Sequence, residues 1–148
     1  MIFNDLALSY IKQAKDRIRY SKEAFKEENF PYVVRQCQEA VELLLKASLR
    51  IVGVEPPKWH DVGPILRREE DRYPEWFKSE LDWIISISRI LRRERELAMY
   101  GDEELGIPPE EIYTRYDAEE ALAKAEKIYD LVMRLYREYK SKDRVEKI

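Results

Sequence analysis

Several things are scarce in this 148-residue sequence, and each shortage removes a class of protein. There is one cysteine, Cys37, and one histidine, His60. A lone cysteine cannot close an internal disulfide, and one Cys with one His cannot assemble a structural metal site. A secreted disulfide scaffold and a zinc finger are excluded, no metal or other cofactor is expected, and the compartment is expected to be reducing. No apolar run approaches the roughly 20 residues of a membrane-spanning helix. The start, Met1-Ile2-Phe3-Asn4-Asp5, lacks the basic-then-apolar order of a signal peptide, so a cytoplasmic protein without a membrane partner is expected. Nothing alternates with a two-residue period over a useful length, so no sheet is expected. Excess basic charge is missing too: 27 Lys plus Arg stand against 30 Asp plus Glu, a net charge of -3. That argues against a dedicated duplex-DNA binder and leaves any nucleic-acid contact to a local patch.

What is abundant is charge of both signs, 39% of residues, beside 45% hydrophobic residues. Such a chain has enough apolar surface to fold, and its length suits one domain. A charge-rich, glycine-poor composition also fits a heat-adapted source. Apolar residues recur at helical spacing over 5–27 (Leu6, Tyr10, Ile11, Ala14, Ile18, Ser21, Phe25), with Asn4 or Asp5 available as cap. Pro31 can open a second helix, whose stripe Val33, Cys37, Ala40, Val41, Leu44, Leu45, Ser48 and Ile51 runs to Gly53. Its other face carries Arg35, Gln38, Glu39, Glu42, Lys46 and Arg50.

Asp61 and Pro64 read as the start of a short helix reaching about Arg72, and Pro74 restarts the chain into a long helix to about Met99. A loop over 101–116 is longer than a bundle needs, and such loops are often functional. Asp117 and Glu120 suggest a capping box for a last helix with the stripe Ala121, Leu122, Ala125, Ile128, Tyr129, Val132, Leu135, Tyr136 and Tyr139. The expected fold is all-α, an antiparallel up-and-down bundle of four long helices plus one short helix over residues 1–140, with 141–148 a frayed tail.

Projection of residues 81–100 at 100° per residue puts Leu81, Ile84, Ser88, Leu91, Ala98 and Met99 on one arc, with Arg95 in its middle. A guanidinium cannot shed its charge, so at such a position it needs a carboxylate, a bound anion or a groove open to water. Glu39 and Glu42 are possible carboxylate partners; the cluster Arg92, Arg93 and Arg95 could equally serve only the helix macrodipole. Tyr113 and Tyr116 flank Arg115 on the long loop, an arrangement that can stack a base or simply pin the loop. Trp59, Trp76 and Trp83 read as packing or interface residues, Trp83 as a dimer contact. Cys37 reads as a buried hydrophobe and not a nucleophile. His60 suits capping or packing better than catalysis.

The run Gln38-Glu39-Ala40-Val41-Glu42-Leu43-Leu44-Leu45-Lys46-Ala47 resembles the second-helix signature of HEPN domains. His60-Asp61-Val62 is similar to the start of their third helix, and Ile112-Tyr113-Thr114-Arg115-Tyr116 to the stretch before their last. Arg95-Glu96-Leu97-Ala98-Met99-Tyr100 sits where that family keeps Arg, a polar residue, a spacer and His. The resemblance implies a helical bundle that homodimerises, joining the Arg motifs of two protomers in one cleft. It also implies a toxin-antitoxin setting with a minimal nucleotidyltransferase as antitoxin partner, and RNA or nucleotide as ligand. Arg95 would hold phosphate, with Arg92, Glu96, Tyr100, Tyr113, Arg115 and Tyr116 as further ligand-binding candidates. The family histidine is replaced by Tyr100. A phenol with an ordinary pKa near 10 is a poor general base at neutral pH. A degenerate, binding-only member is therefore the first expectation. The alternatives are an active metal-independent endoribonuclease using Arg95 and Tyr100, and a non-catalytic helical scaffold.

Overall fold

The computed structural model describes residues 2–58 and 61–146, with side chains from 5 to 143 apart from 59 and 60. The expectations for Trp59 and His60 lie outside the described residues. Among the described residues every regular element is helical: α1 (Ile2–Lys26), α2 (Phe30–Ile51), α3 (Gly63–Arg68), a 3-10 turn (Glu70–Arg72), α4 (Glu75–Lys78), α5 (Leu81–Tyr100), α6 (Pro109–Ile112) and α7 (Arg115–Glu146). Among the described residues, no helix is long and apolar enough to cross a membrane.

The fold is the expected all-α bundle, and α2 is its hub. The eight-residue stripe read from the sequence, Val33 to Ile51, is buried throughout. Against it α1 lays Ile11, Ala14 and Ile18, and α7 lays Ala121, Ala125, Ile128, Val132 and Leu135. The α1–α2 connection is tight because Glu28 turns left-handed (φ 61°) and the Asn29 amide donates back to the Ala24 carbonyl at 2.9 Å. Helix α5 packs on α2 and α3 but scarcely meets α7, so one of its flanks stays uncovered.

Helix ends depart from the sequence reading for local reasons. Helix α1 starts at Ile2, so Asp5 lies inside its first turn, where it complements the dipole without acting as cap. The helix expected over 74–99 is two pieces: Ser79 Oγ donates to the Trp76 carbonyl at 2.8 Å, competing for a backbone acceptor. Just before that break, Phe77 is fully buried and stacked on Tyr73, with ring centroids 4.6 Å apart. The cap of α7 falls three residues early. Thr114 and Asp117 form the reciprocal pair, Asp117 Oδ2 accepting from the Thr114 amide (2.9 Å) and the Asp117 amide donating to Thr114 Oγ1 (3.3 Å). At the other end, α7 continues past 140 to Glu146.

The stretch 101–116 is more ordered than a plain loop. Asp102 and Ile107 exchange two backbone hydrogen bonds (2.9 and 3.0 Å), and α6 follows. Gly101, which ends α5, has φ 72°, and a Cβ there would stand 2.2 Å from the Ile107 carbonyl oxygen. Only glycine fits that turn.

Candidate functional site

On α5 the buried positions are Leu81, Ile84, Ile87, Ser88, Leu91 and Ala98. The arc drawn from the sequence is therefore a core face through Leu91, and then it opens. Arg95, expected in the core, is exposed, as is Met99. Across the groove α2 presents Arg35 from its polar face, so Arg95 meets a like charge there and keeps its guanidinium toward water.

The result is a groove of about 560 Å³ lined by Arg35, Arg92, Arg93, Arg95, Glu96, Met99 and Tyr100. Arg92, Arg95 and Met99 stand three and four residues apart along one helix and so lie side by side, as do Glu96 and Tyr100. Tyr100 is 59% exposed at the mouth. Neither Glu39 nor Glu42 pairs with Arg95. Glu39 binds Arg17 Nε on α1 (3.1 Å) and Arg35 Nε (3.7 Å), while Glu42 takes Lys46 (3.8 Å) and the Gln38 amide (3.1 Å). No carboxylate of a described residue lies within 4.0 Å of the Arg92, Arg93 or Arg95 guanidinium. Three unneutralised guanidinium groups in one concave surface make a local positive field on a chain of net charge -3.

Of the ligand-binding candidates, Arg92, Arg95, Glu96 and Tyr100 come together, and the loop residues do not join them. Tyr113 is buried, and its hydroxyl donates to the Glu94 carboxylate; burial first, then the neighbouring carboxylate, pushes that phenol up. Glu94 lies two residues from Arg92, hence on the opposite flank of α5. The Arg115 guanidinium donates to Glu28 at 2.9 Å and covers the Phe25 and Phe30 rings at 5.1 and 5.3 Å. Tyr116, 68% exposed, lines a different cavity with Val34, Ile90 and Lys124. These three residues pin and decorate the loop on the far side.

Arg35 and Arg93 also line the groove, although their sequence context does not mark them as ligand residues. Arg35 belongs to the polar face of α2, but nothing local says which helix faces it. Beneath the groove, Gln38 is buried, its Oε1 has no partner, and with Ser88, Asp61 and Arg92 it borders a small cavity. Cys37 is sealed in the core beside Ser21 (4.0 Å), where burial pushes its thiol up to about 12, so it is inert. Trp76 donates to Glu138 (3.0 Å), and the Lys127 ammonium sits 4.2 Å over the Trp83 ring. Among the described residues, no group of three or more His, Cys, Asp or Glu is arranged to hold a metal ion.

An all-helical bundle whose fifth helix carries an open arginine groove defines the class. The HEPN domain model matches residues 7–138, most of the chain, and the protein belongs to the HEPN family. The crystal structure of TT1696 from Thermus thermophilus is similar: the TM-score is 0.69 at 24% identity, covering 87% of this chain and 97% of that one. That likeness concerns the fold. A comparison with curated proteins finds no match.

Proposed function

We propose that the α5 groove binds the phosphate of a nucleotide or RNA, as the non-catalytic member of a HEPN and nucleotidyltransferase pair of the toxin-antitoxin type. Arg95 and Arg92 contact the phosphate, Arg35 and Arg93 add field, and Tyr100 lies where a base would stack. Two copies meet along this groove and line one cleft. The single observation that carries the reading is the cluster of α5 arginines around one cavity with no carboxylate of a described residue within 4.0 Å. Arginine serves phosphate through two parallel donors, and an unpaired set of them is set up for an anion.

The test is fluorescence anisotropy with labelled single-stranded RNA and with 5′-AMP as competitor. Arg95→Ala is expected to weaken both at least tenfold with an unchanged melting temperature. Equal binding by wild type and Arg95→Ala would overturn the reading. Sedimentation at micromolar concentration is expected to give a dimer, and purification from the source is expected to bring down the nucleotidyltransferase.

Tyr100 in the same groove as Arg95 supports a second reading, a metal-independent endoribonuclease with the phenol as proton donor. Labelled RNA incubated in EDTA decides between them. Intact RNA leaves the binding reading, and cleavage lost in both Arg95→Ala and Tyr100→Phe favours the enzyme.

A further inference from the structure

The groove does not end at Arg92 and Arg95. On their other side lies a second cavity, about 310 Å³, lined by Arg17 of α1, Glu39, Glu42, Leu43 and Lys46 of α2, and Lys58 of the following loop; Arg92 and Arg95 line it too. The two hollows are halves of one trough, with the same two arginines as the ridge between them.

Charge in the second hollow is partly settled. Arg17 is held by Glu39 at 3.1 Å, and Lys46 by Glu42 at 3.8 Å. Lys46 also donates to the Lys58 carbonyl at 3.4 Å, which fixes the loop backbone beside α2. The Lys58 side chain is exposed, and no carboxylate of a described residue lies within 4.0 Å of its ammonium. What remains unneutralised is Lys58 together with the shared Arg92 and Arg95. Glu39 stands at the junction: one carboxylate oxygen faces Arg17 in the second hollow and the other faces Arg35 in the first. It occupies with a single negative charge the place between two guanidinium groups where a phosphate would also fit.

Resting on the phosphate-binding reading above, we infer that the trough takes two consecutive phosphates of a single-stranded oligonucleotide. The first sits on Arg35, Arg92 and Arg95, and the second on Lys58 and Arg17. A mononucleotide fills one hollow only. Glu39 sets the strength of binding by holding Arg17 and Arg35 back from the ligand. The exposed Tyr100 and Met99 give the base of the first nucleotide an apolar surface, as single-strand binders do.

The test uses the full chain and three probes: 5′-AMP, the dinucleotide pApA, and a 2′-O-methyl oligoadenylate hexamer that cannot be cleaved through its 2′ position. Each competes with a labelled hexamer between 50 and 200 mM salt. The hexamer is expected to bind at least tenfold tighter than 5′-AMP, with pApA close to the hexamer. Lys58→Ala, on an exposed loop, is expected to weaken the hexamer three- to tenfold, leave 5′-AMP within twofold, and flatten the salt slope by about 0.7, one single-strand contact. Glu39→Gln is expected to tighten the hexamer at least threefold and steepen the slope. If 5′-AMP binds as tightly as the hexamer, or Lys58→Ala changes both ligands equally or neither, the trough is a one-phosphate site and the inference fails. The phosphate-binding reading would survive that result provided Arg95→Ala still weakens 5′-AMP. Indifference of every probe to Arg95→Ala, or no binding at all, removes both.

Discussion

Between Leu81 and Leu91, α5 is built into the bundle: Leu81, Ile84, Ile87, Ser88 and Leu91 are buried, Asp82 is taken by Arg67, and Lys127 covers Trp83. Between Arg92 and Tyr100 only Ala98 is buried, and the arginines have no carboxylate of a described residue within 4.0 Å. One helix with a continuous backbone thus carries a structural half and an open half. The change comes where α5 runs beside the polar face of α2, which contributes Arg35 and Glu39 to the hollows there. Stability and ligand binding are therefore separable along α5, and mutations can be chosen to pull them apart.

The largest contrast pairs one residue from each half. Ile84→Ala removes a fully buried side chain and is expected to cost about 2–5 kcal/mol in denaturant unfolding. Arg95→Ala is expected to change stability by no more than about 0.5 kcal/mol, as exposed substitutions do, while reducing RNA affinity at least tenfold. A loss of stability in Arg95→Ala comparable to that of Ile84→Ala would erase the distinction.

Tyr113 is the tie that holds the loop to the open half on its covered flank. Tyr113→Phe gives up a hydrogen bond to a carboxylate and is expected to cost about 1.5–3 kcal/mol in thermal unfolding, with the groove ligand still bound. A loss of RNA affinity in that variant would mean that the two flanks of α5 communicate.

Alkaline unfolding sharpens the same point. Burial raises the phenols of Tyr73, which is hydrogen-bonded to Ser48 at 3.0 Å, and of Tyr113. A raised folded pKa favours the neutral phenol in the native state, while the unfolded phenol ionises near 10. Their contribution is thus complete below about pH 10 and is lost as pH climbs above it. Denaturant midpoints followed from pH 8 to 11 are expected to fall above about pH 10 in the wild type, and to fall less there in Tyr73→Phe and Tyr113→Phe. The smallest effect is expected at Gln38. Gln38→Met removes one hydrogen bond to Glu42 together with a buried oxygen that has no partner, so the two changes offset and stability moves by less than about 1 kcal/mol.

Most of the bundle was legible from period alone. The stripe from Val33 to Ile51 is legible because apolar residues repeat at helical spacing over the whole of α2, even though Leu43 sits among Glu39, Glu42 and Lys46 on the polar side. Boundaries were less legible where two caps compete: Asp117 invites a start with Glu120, yet Thr114 offers a hydroxyl three residues earlier and prevails. The break at Ser79 is a side-chain hydrogen bond to a carbonyl, which periodicity cannot register. At the site, four of the seven ligand-binding candidates converge because they share one helix. Tyr113, Arg115 and Tyr116 lie apart from those four because their distance from Arg95 depends on which flank of α5 the loop returns along. Arg17, Arg35 and Lys58 were invisible as a group because three different segments bring them together.

The missing methyl at Gly101 has a practical side. With the Ile107 oxygen 2.2 Å from where a Cβ would be, saturation mutagenesis of codon 101 should return wild type almost alone, whereas Gly106, at φ 68° with nothing within 4 Å, should also accept asparagine. Between them, Glu103 to Leu105 project into water, Leu105 at 73% exposure. A dye or affinity handle attached at that tip would leave the arginine trough untouched.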